Sequence, residues 1–400
     1  MSKKKYYIYT FGCKVNQYES QLIVEKFKNN DFERMQKPEQ ADIIIFNSCT
    51  VTAEADKECE YLLRKATKLP NKPKIMLTGC IAKNKNVDIK NLFADIEIIT
   101  DKTKLFIEPQ KQIISSFDKR SRAFLKIQDG CNSFCSYCII PYIRNILWSK
   151  NENEVLLEIE NLVKNGYAEI VLTGIHLGKY NSGLSNLLEK IIKISSDFRI
   201  RISSIELNEI DDKLLELMKE NPEKICCHLH IPLQSGSDEI LKQMNRKYST
   251  KEFEEKVNKI IQLLPDLALT TDIITGFPGE TNQHHKETCD FIRRILFARF
   301  HIFRYSDRQG TKASLLENKV QANEIKNRAR DLFEIDSQKR KDFLNKNLWK
   351  IRKAVRIGKD KAITDNYITV QIKQQNTEPV TNSTLPLKSG IFDIEITESL

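Results

Sequence analysis

The chain has 400 residues, a formal net charge of +10 and 40% hydrophobic residues. That length supports two or three domains with real cores, and no apolar run reaches the ~18 residues of a membrane-spanning helix. The opening stretch MSKKKYYIYTFG lacks the apolar segment and small-residue cleavage site of a secretory signal. The ten cysteines are therefore expected as cytoplasmic thiols or metal ligands rather than disulfides. The positive excess suits a polyanion, RNA or DNA first. Much of the lysine comes with abundant Ile and Asn, a bias that AT-rich coding also produces.

Residues 6–100 alternate between strand and helix patterns. YYIYTF (6–11) predicts a strand, and residues 16–30 an amphipathic helix with Leu22, Val24 and Phe27 near one face. ADIIIFNSC (41–49) has the continuous apolar character of a buried parallel strand. A helix over 53–68, a strand KIMLTGC (74–80) and a strand IEIIT (96–100) follow. Such alternation predicts an open parallel α/β sheet. Cys13, Cys49 and Cys80 each sit at the carboxyl end of one of these strands. In an open parallel sheet those ends share one edge, where ligands bind. Three thiolates far apart in sequence would meet there, one short of four. Cys59 falls mid-helix and has no such reason for its place.

Residues 101–121 form a connector, and FDKRSR within it marks a domain boundary. The predicted strand AFLKIQD (123–129) runs into CNSFCSYC (131–138). The C-x₃-C-x₂-C spacing of Cys131, Cys135 and Cys138 puts three thiolates around one centre. A [4Fe–4S] cluster takes one thiolate per iron, so three leave one iron open for chemistry. Zinc, or plain buried thiols, is the competing reading, but no second C-x₂-C pair follows to complete a zinc site. Phe134 and Tyr137 alternate with the cysteines and supply apolar cover.

Five more helix-then-strand units follow, with strands over 169–174, 198–206, 226–233, 267–277 and 298–306. Together with 123–129 they predict an incomplete parallel (β/α)6 barrel, whose chemistry sits on the loops at the carboxyl ends of its strands. Those loops carry Thr173 and Gly174, Glu206, Gln234, Ser235 and Gly236, then Gly276 and its neighbours. Glycines there admit close backbone approach to a ligand. His176, His228 and His230 also lie near strand ends and are read as hydrogen-bonding or packing residues. A long charged helix over 321–347 leads to short alternating strands that predict a small β-barrel. Lys350, Arg352, Lys353, Arg356, Lys359 and Lys361 cluster in it. A basic barrel suits RNA backbone, and a solvated surface has the same composition. The expected domains are 1–116, 117–346 and 347–400.

At this point whole motifs line up. TFGCKVNQYES (10–20), NSCTVT (47–52), TGC (78–80), GCNSFCSYCIIPYIR (130–144), LTGIHLGKY (172–180), PLQSGSDEILKQMNR (232–246), TDIITGFPGET (271–281) and YSDRQGT (305–311) resemble those of the radical-SAM methylthiotransferases over nearly the whole chain. The GCKVN form is more similar to the branch acting on threonylcarbamoyladenosine in tRNA than to the branch acting on isopentenyladenosine.

The resemblance implies two [4Fe–4S] clusters. One, on Cys131, Cys135 and Cys138, would bind S-adenosylmethionine. The other, on Cys13, Cys49 and Cys80, would carry the sulfur to be transferred. Thr173, Gly174, Glu206, Gln234, Ser235 and Gly276 would line the S-adenosylmethionine pocket, and the C-terminal barrel would be a tRNA-binding TRAM-like domain. The implied partners are tRNA, a flavodoxin- or ferredoxin-like reductant and a sulfur donor, with no membrane. An RNA-binding iron–sulfur protein without catalysis is the alternative of a different class. After PYIR the family usually continues with glycine and an Arg- and Ser-rich turn, whereas this chain has NILWSK (145–150).

Overall fold

The computed structural model describes residues 3–84, 93, 95–105, 113–117, 121–372 and 390–397. Part of the expected connector 101–121 lies outside them. The chain divides into two compact units, each assembled from separate segments. The first comprises Met1–Phe117, Gly130–Leu147 and Ser306–Ser314; the second comprises Asp118–Asp129, Trp148–Tyr305 and Leu315–Leu400.

The first unit is built on a parallel sheet of five strands: β1 (Lys5–Thr10), β2 (Glu33–Arg34), β3 (Ile43–Ser48), β4 (Lys74–Gly79) and β5 (Ile96–Ile98). Their order is β2-β1-β3-β4-β5. The sequence pattern predicts four of these strands; β2 is too short for any periodicity to register. The apolar run Ile43–Phe46 sits at the sheet centre, where both faces are covered, so Ile44, Ile45 and Phe46 are fully buried. Tyr9, Phe11 and Phe46 stack in one aromatic layer. The strand order reverses between β1 and β3, and that is where open α/β sheets form a ligand crevice.

The second unit contains six parallel strands, each paired with its neighbours in chain order. β6 (Arg122–Lys126), β9 (Glu169–Thr173) and β10 (Arg199–Ile202) form one sheet. Between β6 and β9 a small antiparallel ribbon joins β7 (Gln128–Asp129) to β8 (Trp148–Ser149). β11 (His228–His230), β12 (Ala268–Thr275) and β13 (Arg299–Arg304) form the other sheet. Parallel bridges Ile200–Ile225 and Ser204–His230 link the two sheets. Helices lie between the strands, and several start where the sequence signals them. Ser249 and Glu252 form a capping box, and Asp211 caps the helix Asp212–Glu220.

The C-terminal residues form a four-stranded antiparallel sheet, β14 (Ile351–Arg356), β15 (Lys361–Thr364), β16 (Thr369–Gln371) and β17 (Phe392–Glu395), in the order β16-β15-β14-β17. Two buried arginines tie it to the amino-terminal ends of the parallel strands. Arg199 donates to the carbonyls of Lys353 and Ile363, and Arg201 to those of Thr364 and Asp365. Glu169, wholly buried, pairs with both. Burial alone would raise its carboxyl, but Arg201, Arg199 and Arg122 outweigh that and hold it well below the usual carboxylate range. Among the described residues no helix is long and apolar enough to cross a membrane.

Candidate active site

Each N-terminal cysteine is delivered by a strand end. Cys13 caps the helix Lys14–Asn29 after β1, Cys49 directly follows β3, and Cys80 opens the short helix Cys80–Lys83 after β4. Because β1, β3 and β4 are neighbours, the three thiols meet at one edge of the sheet. Cys13 and Cys80 both bear electrostatically on Cys49, and the Cys49 sulfur also receives the backbone N–H groups of Val51 and Cys13.

Gly12 makes this approach possible. Its φ is +78°, and a Cβ there would fall 2.3 Å from the Cys49 sulfur. Burial pushes the Cys49 thiol up to about 11 and raises Cys13 as well. A thiolate is stable in such a pocket only beside positive charge.

Part of that charge comes from Arg144. Its Nε stands 3.5 Å from the Cys80 sulfur. Its two terminal nitrogens grip the Glu19 carboxylate at 3.0 Å each, and Nη2 also donates to Asn16 at 2.9 Å. Asn16 is fully buried and donates onward to the carbonyls of Phe11 and Ser48, at the ends of β1 and β3. Lys102 pairs with Glu19 from the other side.

The same arginine closes the second cysteine loop. The Cys131 N–H donates to the Arg144 carbonyl at 3.0 Å, and the Cys138 N–H to the Cys135 carbonyl at 3.0 Å. Phe134 takes a left-handed φ of +48°, which turns the chain between Cys131 and Cys135. Its half-exposed ring meets Tyr142 edge-on at 5.6 Å. Cys131, Cys135 and Cys138 all keep intermediate exposure, unlike the buried Cys49, Cys59 and Cys80.

The divergent turn begins on this loop. Gly130 packs so tightly beneath it that a Cβ would lie 2.1 Å from the Ile146 carbonyl oxygen, while the Ile146 side chain is 78% exposed. The YSDRQGT segment and the residues just after it touch both cysteine loops. Arg308 donates to Thr50 and Asp56, Ser306 accepts the Ala53 N–H, and the Ala313 N–H reaches the Ser136 carbonyl.

The other expected site residues all lie at the carboxyl ends of the parallel strands of the second unit. Thr173 is buried, its carbonyl taken by the Ile127 N–H. A Cβ on Gly174 would meet the Gln128 side chain at 3.0 Å. Gln234 has a φ of +72° and is stitched to β12 through Asp272 and Ile274. Three are engaged within the fold: Ser235 with Thr288, Glu206 with Arg246, and the Gly276 N–H with Glu280.

Asn16, Glu19, Lys102 and Arg308 are site-shaping residues that pattern reading passes over. The signal for the first two is polar side chains three apart on the buried side of an amphipathic helix.

Comparison with known proteins shows the family. Residues 125–292 match the model of the radical SAM superfamily, and residues 5–101 that of uncharacterized protein family UPF0004. The threonylcarbamoyladenosine tRNA methylthiotransferase MtaB of Bacillus subtilis is 38% identical, over 84% of this chain and 81% of that protein. The chain belongs to the radical SAM methylthiotransferase family.

The MtaB protein of Thermotoga maritima is 36% identical over 88% of both chains. A tRNA-2-methylthio-N(6)-dimethylallyladenosine synthase of Caldicellulosiruptor saccharolyticus is 34% identical over 79% of this chain and 74% of its own. Among solved structures, the radical S-adenosylmethionine methyltransferase TsrM of Kitasatospora setae aligns over 76% of this methylthiotransferase and 72% of its own length. Its TM-score is 0.55 and its identity 11%, a likeness of fold alone.

Proposed function

We propose that this chain transfers a methylthio group to C2 of the threonylcarbamoyladenosine next to the tRNA anticodon. The observation that carries the reading is a pair of three-cysteine sites, each one ligand short of four, held by a single arginine. The thiolate sets suit iron–sulfur clusters. With both clusters bound, Cys131, Cys135 and Cys138 would present the iron that cleaves S-adenosylmethionine to a radical source, and Cys13, Cys49 and Cys80 the cluster that supplies sulfur.

The chain's own residues do the rest. Arg144 sets its guanidinium beside the Cys80 sulfur while its carbonyl fixes the start of the Cys131 loop. Phe134 and Tyr142 shield the partly exposed Cys131 loop. The six parallel strands act as an incomplete (β/α)6 barrel. Thr173, Gly174, Glu206, Gln234, Ser235 and Gly276, on its carboxyl-end loops, form the S-adenosylmethionine pocket, where water exclusion protects a radical. In domain terms, 1–116 carries the sulfur-supplying cluster, 117–346 the radical chemistry and 347–400 a TRAM-like tRNA anchor.

The anchor is narrower than its composition suggests. Lys350, Arg352 and Lys353 are paired with Asp266, Asp365 and Asp393, whereas Arg356, Lys359 and Lys361 meet no carboxylate among the described residues. Those three are the groups left for phosphate. The reading places the enzyme in the cytoplasm, served by a small reductant protein and a sulfur donor.

Mass spectrometry of tRNA nucleosides from a deletion strain tests the assignment. The methylthio group should vanish from threonylcarbamoyladenosine. Its loss from dimethylallyladenosine alone overturns the reading.

A further inference from the structure

The two substrate classes named for the relatives differ most at N6 of the adenosine. A threonylcarbamoyl group ends in a carboxylate; a dimethylallyl group is wholly apolar. An enzyme that reads the first needs a cationic donor where the second needs hydrocarbon.

β11, β12 and β13 bring such a donor together. Their register sets His230 opposite Thr270, and Asp272 opposite His301. Alternate residues share a face, so Thr270 and Asp272 lie on one side of β12, and His301 and Phe303 on one side of β13. The Asp272 carboxylate is 3.1 Å from His230 Nε2 and 3.1 Å from His301 Nδ1. The other nitrogen of His230 is 2.9 Å from the Thr270 hydroxyl. The two imidazoles lie nearly parallel, 5.4 Å apart.

His230 is buried and fully engaged. His301 is not: its side chain is 41% exposed, and no hydrogen bond among the described residues uses its Nε2. Phe303, also half-exposed, stands edge-on to it at 6.5 Å.

We infer that His230, Asp272 and His301 seat the acidic N6 substituent of the substrate adenosine, with His301 Nε2 donating to its carboxylate and Phe303 offering a face to the base. This rests on the function proposed above. The Asp272 carboxylate takes His301 Nδ1, which leaves Nε2 as the nitrogen available to a ligand. The imidazoles in turn hold the Asp272 carboxyl below its usual range against the opposing effect of burial. The three ligand atoms also lie within 4.8 Å of one another, as a bound cation would require. A cation, however, needs both nitrogens facing Asp272 to lose their protons, and the hydrogen bonds use those protons.

The test uses reconstituted full-length protein and three anticodon stem-loops. They carry threonylcarbamoyladenosine, its methyl ester and dimethylallyladenosine, and binding is read by fluorescence anisotropy. The wild type should prefer the acid over the ester by about tenfold to a hundredfold, the worth of one charge-assisted hydrogen bond. H301F and D272N should bring that ratio close to one, and H301K should restore much of it. Melting curves identify any variant that fails to fold, and H301K then decides. An acid-to-ester ratio that survives H301F overturns the site. So does stoichiometric zinc in the wild type that disappears in D272N. A wild type that modifies only the dimethylallyl stem-loop overturns the parent function and this site with it. A wild type that modifies the acidic base with an unmoved ratio in the variants overturns the site alone.

Discussion

The Arg144 Nε stands 3.5 Å from the Cys80 sulfur, while the Arg144 carbonyl accepts the Cys131 N–H at 3.0 Å. One residue therefore meets a sulfur of the first triad with its side chain and anchors the loop of the second with its backbone. Arg144→Ala should cost about 3 kcal/mol, because it takes a two-pronged ion pair away from the buried Glu19. It should also lower iron per chain, and the N-terminal cluster should be the one lost. Arg144→Lys keeps the charge but not the two-pronged grip on Glu19, so its iron content should fall between those of the alanine variant and the wild type. Wild-type iron in Arg144→Ala would refute the coupling.

Gly12→Ala is expected to be more selective. Its Cβ would sit 2.3 Å from the Cys49 sulfur in a left-handed stretch of backbone. The conformation alone costs about 1 kcal/mol, and the collision displaces a ligand. Reconstitution should give about half the wild-type iron, with the Cys131 site still able to cleave S-adenosylmethionine. Full iron content would show that the Cys49 sulfur moves freely.

The two triads should separate cleanly by product. Cys135→Ala should abolish release of 5′-deoxyadenosine under reduction. Cys49→Ala should keep that release and lose methylthiolated tRNA. If Cys135→Ala still forms 5′-deoxyadenosine, the roles given to the triads are wrong.

Glu169→Gln should destabilise the second unit by about 3–5 kcal/mol, since it strands the buried Arg199 and Arg201. The pH dependence has a definite sign. A carboxyl held below its ordinary value stabilises the fold fully above the unfolded value of about 4.3, and that contribution fades as pH falls toward the folded value. The gap in melting temperature between wild type and variant should therefore be constant near neutrality and narrow below about pH 4. A gap that widens in acid would show that the arginines, not Glu169, govern the site.

The places of Cys13, Cys49 and Cys80 in the fold were legible because strand ends are legible. An apolar run such as Ile43–Phe46 announces a buried parallel strand, and the residue just after it falls at the sheet edge. Asn16 and Glu19 were not, because polar residues three apart on one helix side gain a role only with their partner, and that partner, Arg144, lies more than a hundred residues away. The C-terminal lysines and arginines misled in the opposite direction. Composition counts Lys350, Arg352 and Lys353 as free charge, whereas Asp266, Asp365 and Asp393 neutralise them. The part played by Arg308 depends on Thr50 and Asp56, a pairing that only the folded chain reveals.

The first unit draws on Met1–Phe117, Gly130–Leu147 and Ser306–Ser314. On the ribosome these pieces emerge far apart in time. Cys13, Cys49 and Cys80 are synthesised early, yet Arg144 follows later and Arg308 only near the end, tens of seconds behind at ordinary elongation rates. The nascent N-terminal sheet thus carries three unpaired thiols without the residues that brace their loops. On the proposed function, cluster loading at that site would be a late event in the life of the chain, and a fragment that stops before residue 306 should take up less iron there than the full chain.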